Sequence, residues 1–256
     1  MELKSLGFIG GGRVTRIFLQ AFKNVQAEHG NVIVYDNNRD VLSSLKSEFP
    51  EIEIVESHEF ASRQEIVFIA VHPPVIKEVL EKMKQYVTAD SIVVSLAPKI
   101  LIDNIAGELG INNVARMIPN ATSYINEGFN PLCFSEDFGE MKKLLLDLLN
   151  ALGNTFEVPE EKLEAYAIIS AMLPTYFWFQ WKIMVDLGIR MGMHDVEARD
   201  AVYETLIAAL NTMFKSGISA DEVMDLIPVK PIGTVEDQIT GIYNDKLWTL
   251  YEKLKP

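Results

Sequence analysis

One short segment constrains this chain more than any other. Gly7-Phe8-Ile9-Gly10-Gly11-Gly12-Arg13-Val14 stands where an apolar run turns directly into helical spacing. Gly10 permits a tight turn, and Gly12 leaves no Cβ between the backbone and a ligand. The helix that follows, with Val14, Ile17, Phe18, Ala21 and Phe22 on one face, offers unpaired N–H groups to an anion. The third position of a G-x-G-x-x-G pattern is Thr15, a departure expected to loosen helix–strand packing. The next strand, Val32-Ile33-Val34-Tyr35, ends on Asp36, an acid about 20–26 residues after the loop, where a ribose-binding carboxylate belongs. Strand, glycine loop, helix, strand and acid in that order predict a dinucleotide site. Asp36 favours NAD, because it would repel a 2′-phosphate; Arg39 could still clamp that phosphate, so NADP stays open.

The rest of the first half agrees with this reading. Leu6–Ile9, Val32–Tyr35, Ile52–Val55, Ile66–Val71, Ile92–Leu96 and Val114–Ile118 are apolar runs of strand length. Between them lie helical spacings such as Val75, Ile76, Val79, Leu80 and Met83. Near-continuous apolar strands alternating with helices predict a parallel sheet covered on both faces. After Val158 helical patterns take over at Glu161–Met191, Asp195–Lys215 and Ala220–Leu226. The expected fold class is an α/β Rossmann domain with a parallel doubly wound sheet, residues 1–157, followed by an all-α domain, residues 158–256.

Composition narrows the field. The chain has 256 residues, 48% of them hydrophobic, and a net charge of −13, which argues against nucleic acid as a partner. Cys133 is the single cysteine, so neither an internal disulfide nor a cysteine metal cluster is expected, and a reducing cytoplasm is. His29, His58, His72 and His194 are scattered, and no metal site is expected. The start of the chain shows no signal-peptide pattern. The uncharged stretch Ala165–Trp181 is short and interrupted by Pro174 and Gln180, which reads as a buried or subunit-interface helix rather than a membrane span. Met172, Met184, Met191 and Met193 read as fillers of a helical core.

Five motifs in order give the chain a resemblance. It resembles the pyrroline-5-carboxylate reductases and the related F420-dependent NADP reductases over essentially its whole length. The motifs are the glycine loop; Ala70-Val71-His72-Pro73 against A-V-K-P; Arg116-Met117-Ile118-Pro119-Asn120 against R-x-M-P-N; Ser170 through Tyr176 against S-G-S-G-P-A-Y; and Pro231-Ile232-Gly233-Thr234-Val235 against P-G-G-T-T. The resemblance implies a homodimer through the helical domain and a small-molecule substrate. It implies a cofactor, NAD or NADP, on Gly10, Gly11, Gly12, Arg13, Val14, Asp36, Arg39, Ala70, Val71, His72, Pro73, Ala97 and Asn120. Lys99 stands where the family's second cofactor-lining turn has glycine.

The departures gather on the substrate side. Ile232 and Val235 replace a glycine and a hydroxyl, and Ser170-Ala171-Met172-Leu173-Pro174 replaces S-G-S-G-P, giving a bulkier, more apolar wall. Met172, Lys230, Gly233, Thr234 and Val235 are the expected substrate contacts, with Thr234 or Tyr176 as proton donor. The expected activity is hydride transfer to or from a C=N or C=O carbon. A deazaflavin-dependent NADP reductase and a non-catalytic NAD-binding dimer with a sensing role remain the alternatives.

Overall fold

A computed structural model describes residues 4–256. The strands are β1 (Leu6–Ile9), β2 (Val32–Tyr35), β3 (Glu53–Val55), β4 (Ile66–Ile69), β5 (Ile92–Ser95), β6 (Val114–Met117), β7 (Gly128–Phe134) and β8 (Gly153–Glu157). They form one sheet in the order β3-β2-β1-β4-β5-β6-β7-β8. The neighbours from β3 to β6 are all parallel, in registers such as Gly7 opposite Ile33 and Phe8 opposite Phe68. The parallel sheet expected from the sequence is thus present, and two strands that the sequence did not single out extend it: β7 runs antiparallel to β6, and β8 pairs parallel with β7.

The helices of this part are α1 (Arg13–Val25), α2 (Arg39–Glu48), α3 (His58–Ser62), α4 (Ile76–Met83), α5 (Ile102–Leu109), α6 (Lys142–Leu149) and α7 (Leu163–Tyr166). They exist because their apolar residues recur at helical spacing and the sheet offers something to bury them against. In α1 the buried residues are Thr15, Phe18, Leu19, Ala21 and Phe22. Phe18 sits edge-on to Phe8 of β1 and Phe68 of β4, which stack on each other at 4.8 Å between centroids. Each such fully buried side chain contributes roughly 1.5–3 kcal/mol, so this aromatic cluster fixes α1 behind the glycine loop. On the other face, Ile76, Leu80 and Met83 of α4 join Val67, Ile69 and Val93 in a second cluster.

Thr15 corrects a sequence expectation. It is fully buried, and its hydroxyl donates to the Gly10 carbonyl at 2.5 Å. The residue in the third glycine position ties the loop to its helix instead of loosening it.

Strands end at Glu157, where the sequence placed the domain boundary, yet the compact unit runs on. It takes in the chain up to Ala171 together with Leu250–Pro256, and a second unit takes in Met172–Thr249. The extension follows from burial: Leu163, Ala167 and Ile168 are all at most 4% exposed, and Leu163 and Ala167 join the second core cluster. The single helical stretch expected from Glu161 to Met191 is broken by a π turn at Ala167–Ala171. Pro174, which has no N–H, cannot take up the Ser170 carbonyl four residues back. That carbonyl instead accepts from Asn120 Nδ2 at 3.2 Å.

The second unit carries α8 (Leu173–Arg190), α9 (Asp195–Lys215), α10 (Ala220–Asp225) and most of α11 (Glu236–Leu254). In α9 a capping box closes the start: the His194 N–H donates to Glu197 Oε2 at 2.9 Å. Across Met172–Thr249 only Ala198 is buried. Trp178, Phe179, Ile183, Tyr203, Phe214 and Trp248 are among the large apolar side chains left exposed.

Candidate active site

The first unit opens a cleft of about 730 Å³ at the carboxyl ends of β1, β2 and β4. This is where ligands settle on an open α/β sheet, beside the strand at which the order reverses. Gly10 and Gly12 form one wall, Asp36, Asn37 and Asn38 a second, and Ala70, Val71 and His72 a third. Six of the residues expected from the sequence to hold a cofactor, Gly10, Gly12, Asp36, Ala70, Val71 and His72, therefore meet in one place.

Local chemistry explains how each is positioned. Gly10 has φ of +111°, and a Cβ there would lie 2.6 Å from the Ala70 carbonyl oxygen. The loop can thus approach the β4 turn only as glycine. Gly12 has nothing within 4 Å of where its Cβ would be, so its backbone is open. It caps α1 without a side-chain hydrogen bond, leaving the first N–H groups of that helix free to meet an anion. Gly11 lies behind the surface, and its N–H donates to Asp36 Oδ2 at 2.8 Å. Asp36 Oδ1 accepts from the Asn38 N–H at 2.8 Å. The carboxylate is thereby aimed along the cleft edge, with lone pairs remaining for further donors.

Other expected contacts are placed differently. Arg39 pairs with Glu56 at 2.8 Å, both side chains more than four-fifths exposed, beside a groove of about 440 Å³ that it shares with Asp36 and Asn37. Arg13 and Val14 begin α1, and Pro73 opens the short 3₁₀ turn Pro73–Val75. Ala97 is 3% exposed in the turn after β5. Asn120 is buried, and its side chain is committed: Oδ1 accepts from the Thr122 N–H and hydroxyl, while Nδ2 donates to Ser170.

The expected substrate residues belong to the second unit. Met172 precedes α8, and Tyr176 lies in it, its phenol raised above the ordinary range by burial and its ring 6.2 Å from Tyr243. A raised phenol remains protonated and able to donate. Lys230 accepts the Gly233 N–H through its carbonyl at 3.0 Å, closing a tight turn before the 3₁₀ turn Gly233–Val235 that holds Thr234. Ile232 and Val235 are 67% and 37% exposed in that turn.

The far end of the cleft contains a residue that sequence reasoning passed over. His58 lines it with Val75, Val79, Glu78 and Lys82. Its ring packs between Tyr35 and Tyr86, and its buried Nδ1 has no protein partner. Burial, with help from Lys82, lowers its pKa below the usual histidine value. Folding therefore favours the neutral ring. Its contribution to stability is complete above about pH 6.5 and is lost as pH falls toward the lowered folded value. His58→Phe keeps the ring packing and should flatten that acid limb in melting temperatures recorded across about pH 5–8. A lone histidine in a polar segment gives no periodic signal, which is why spacing alone did not single it out.

Among the described residues no His, Cys, Asp and Glu group is arranged to hold a metal ion, and no helix is long and apolar enough to cross a membrane. The Cys133 thiol is pushed up to about 12, chiefly by burial, so it is no nucleophile at neutral pH.

Comparison with known proteins follows the same lines. Residues 5–99 match the family model described as NADP oxidoreductase coenzyme F420-dependent. The chain is 23% identical to the pyrroline-5-carboxylate reductase of Staphylococcus saprophyticus, over 96% of this chain and 92% of that protein. It is 24% identical to the Escherichia coli pyrroline-5-carboxylate reductase, over 92% and 88% respectively. The crystal structure of Plasmodium falciparum pyrroline carboxylate reductase with NADP bound shares the fold, with a TM-score of 0.78, 20% identity, and coverage of 99% of this chain and 96% of that one. Sheet order, glycine cleft and these likenesses agree with the resemblance to the pyrroline-5-carboxylate reductases and F420-dependent NADP oxidoreductases carried by the sequence motifs.

Proposed function

We propose that this chain is an NAD(P)-dependent reductase that moves a hydride between the nicotinamide and a C=N or C=O carbon of a small molecule. The observation that carries the reading is the cleft itself. An open helix N-terminus, two glycines with no side chain in the way and an oriented carboxylate converge at the carboxyl ends of three parallel strands. Gly12 and the start of α1 would hold a pyrophosphate, Asp36 a ribose, and His72 an oxygen of either. A bound nicotinamide supplies the hydride. The chain's own work is to bind, orient and exclude water, and Thr234 or Tyr176 would carry the proton.

Two features refine the proposal. Arg39 is engaged by Glu56 while Asp36 offers a carboxylate, an arrangement that favours NAD over NADP. On the substrate side, Met172, Ile232 and Val235 replace small or hydroxylic residues, which points to a substrate more apolar than pyrroline-5-carboxylate. The decisive assay follows NADH and NADPH oxidation with pyrroline-5-carboxylate and with larger cyclic imines. Turnover of a larger imine with NADH is expected, and efficient turnover of pyrroline-5-carboxylate would overturn the altered-substrate part. Binding of NADH with no turnover of any imine would favour a sensing role.

The exposed apolar residues of α8, α9 and α11 support a homodimer through the helical unit. Phe214, 78% exposed on α9, is a direct probe. Phe214→Asp should convert a dimer to monomers in sedimentation velocity, because a charge in an apolar interface is left unpaired. A monomeric unaltered protein would contradict this.

A further inference from the structure

Where β5 ends, the chain runs through Leu96, Ala97, Pro98 and Lys99 before α5 begins at Ile102. This turn adjoins the wall of the cleft, since the Leu96 N–H donates to the carbonyl of Ile69, the residue just before Ala70, at 3.0 Å. Lys99 has φ of +78°, in the left-handed region where a side chain is strained. Something must hold it there.

The surroundings identify the restraint. The Lys99 N–H points at Glu164 Oε1, 3.4 Å away, at the long end of hydrogen-bond reach. The Ile102 N–H donates to Glu160 Oε1 at 2.8 Å. Both carboxylates are gripped by one guanidinium: Arg116 of β6 donates to Glu160 at 2.7 Å and to Glu164 at 2.6 Å. Arg116 and Glu164 are 1% and 2% exposed. Burial opposes the charge on Arg116, and the two carboxylates more than restore it, raising its pKa. A buried charged group held in this way has one geometry, which it imposes on whatever it touches.

We propose that Glu164, fixed by Arg116, is a positioning residue for the turn Ala97-Pro98-Lys99, holding Lys99 in the left-handed conformation so that the turn keeps its shape beside the cofactor. The inference rests on the reading of the cleft as a dinucleotide site. It assigns Glu164 no contact with the ligand. Its effect passes through one backbone N–H and one strained dihedral angle.

The strain makes the idea testable, because glycine adopts this φ freely. Affinity for NADH and melting temperature are measured for the unaltered protein, Glu164→Gln, and Glu164→Gln in a Lys99→Gly background. Glu164→Gln should weaken NADH binding about tenfold. In the Lys99→Gly background the same change should weaken it less than twofold, while its effect on melting temperature stays the same. Equal losses of affinity in both backgrounds would overturn the proposal, since a merely structural role has no reason to vanish with Lys99. Should Glu164→Gln not fold, Glu164→Asp keeps a negative charge opposite Arg116 but draws the shared acceptor back from both donors, and the Lys99 contact, already at 3.4 Å, is the first to be lost. This variant must then show the same rescuable loss, and unchanged affinity would overturn the proposal. Failure of the unaltered protein to bind either NADH or NADPH would overturn the cleft reading itself, a result distinct from all of these.

Discussion

Gly10→Ala will abolish measurable dinucleotide binding and destabilise the fold by several kcal/mol. The added methyl would stand 2.6 Å from the Ala70 carbonyl oxygen and 2.8 Å from its carbon, with Val71 Cγ1 at 3.3 Å. The first two are backbone atoms of the β4 turn, and they cannot give way without pulling the turn off the sheet. The backbone angle itself disfavours a side chain. Gly12→Ala is the informative partner. Its methyl would meet no protein atom within 4 Å, so melting temperature should hold while affinity falls by tenfold or more, because the methyl occupies the path of the phosphates. Thermal melts with and without NADH separate the two. Equal melting temperatures for both variants would mean that Gly10 is not the point of closest approach.

Arg116→Met should cost about 3–5 kcal/mol, a fall in Tm on the order of 10 °C. The reason is the two carboxylates it would strand. Glu164 is almost fully buried and Glu160 is 26% exposed, and both take their shortest hydrogen bonds from this guanidinium. Removing one partner of a buried ion cluster leaves charge with neither water nor a counter-ion. Replacing the cluster together, with Glu164→Leu and Glu160→Gln added to Arg116→Met, should recover most of the loss, since an apolar core is an adequate substitute for a buried salt bridge. If the single variant melts within a degree or two of the unaltered protein, the cluster is not the anchor that its distances indicate.

The contrast between what was and was not legible in the chain has a physical pattern. β1, the glycine loop, α1, β2 and Asp36 all announce themselves, because a strand buried on both faces must be continuously apolar and a tight turn must be glycine. β7 and β8 did not. Pro131 and Asn130 argue against an internal strand, yet β7 lies between β6 and β8. Asn130 is fully buried there because its Oδ1 accepts from the Asn120 N–H and the Ser123 hydroxyl, a tertiary arrangement invisible in one dimension. α11 was also passed over, although Ile239, Tyr243, Leu247, Leu250 and Leu254 carry helical spacing; Gly241 and a mean hydropathy near zero hide it.

In the site, residues bound to backbone geometry were readable and those depending on partners were not. Asp36 was found by its distance from the loop. That Gly11 would orient it, that Glu56 would occupy Arg39, and that Asn120 would spend its amide on a helix cap all depend on segments brought together only by folding. The same holds for Thr15, whose hydroxyl does locally what a third glycine does by absence.

The helical unit has one buried side chain, Ala198, across Met172–Thr249. Four helices arranged so have their hydrogen bonds but almost no hydrophobic free energy of their own, and helices in water are marginal without it. On the proposed homodimer, which would cover these helices, dilution more than heat is the agent expected to undo this part of the molecule. Its melting temperature becomes a function of protein concentration.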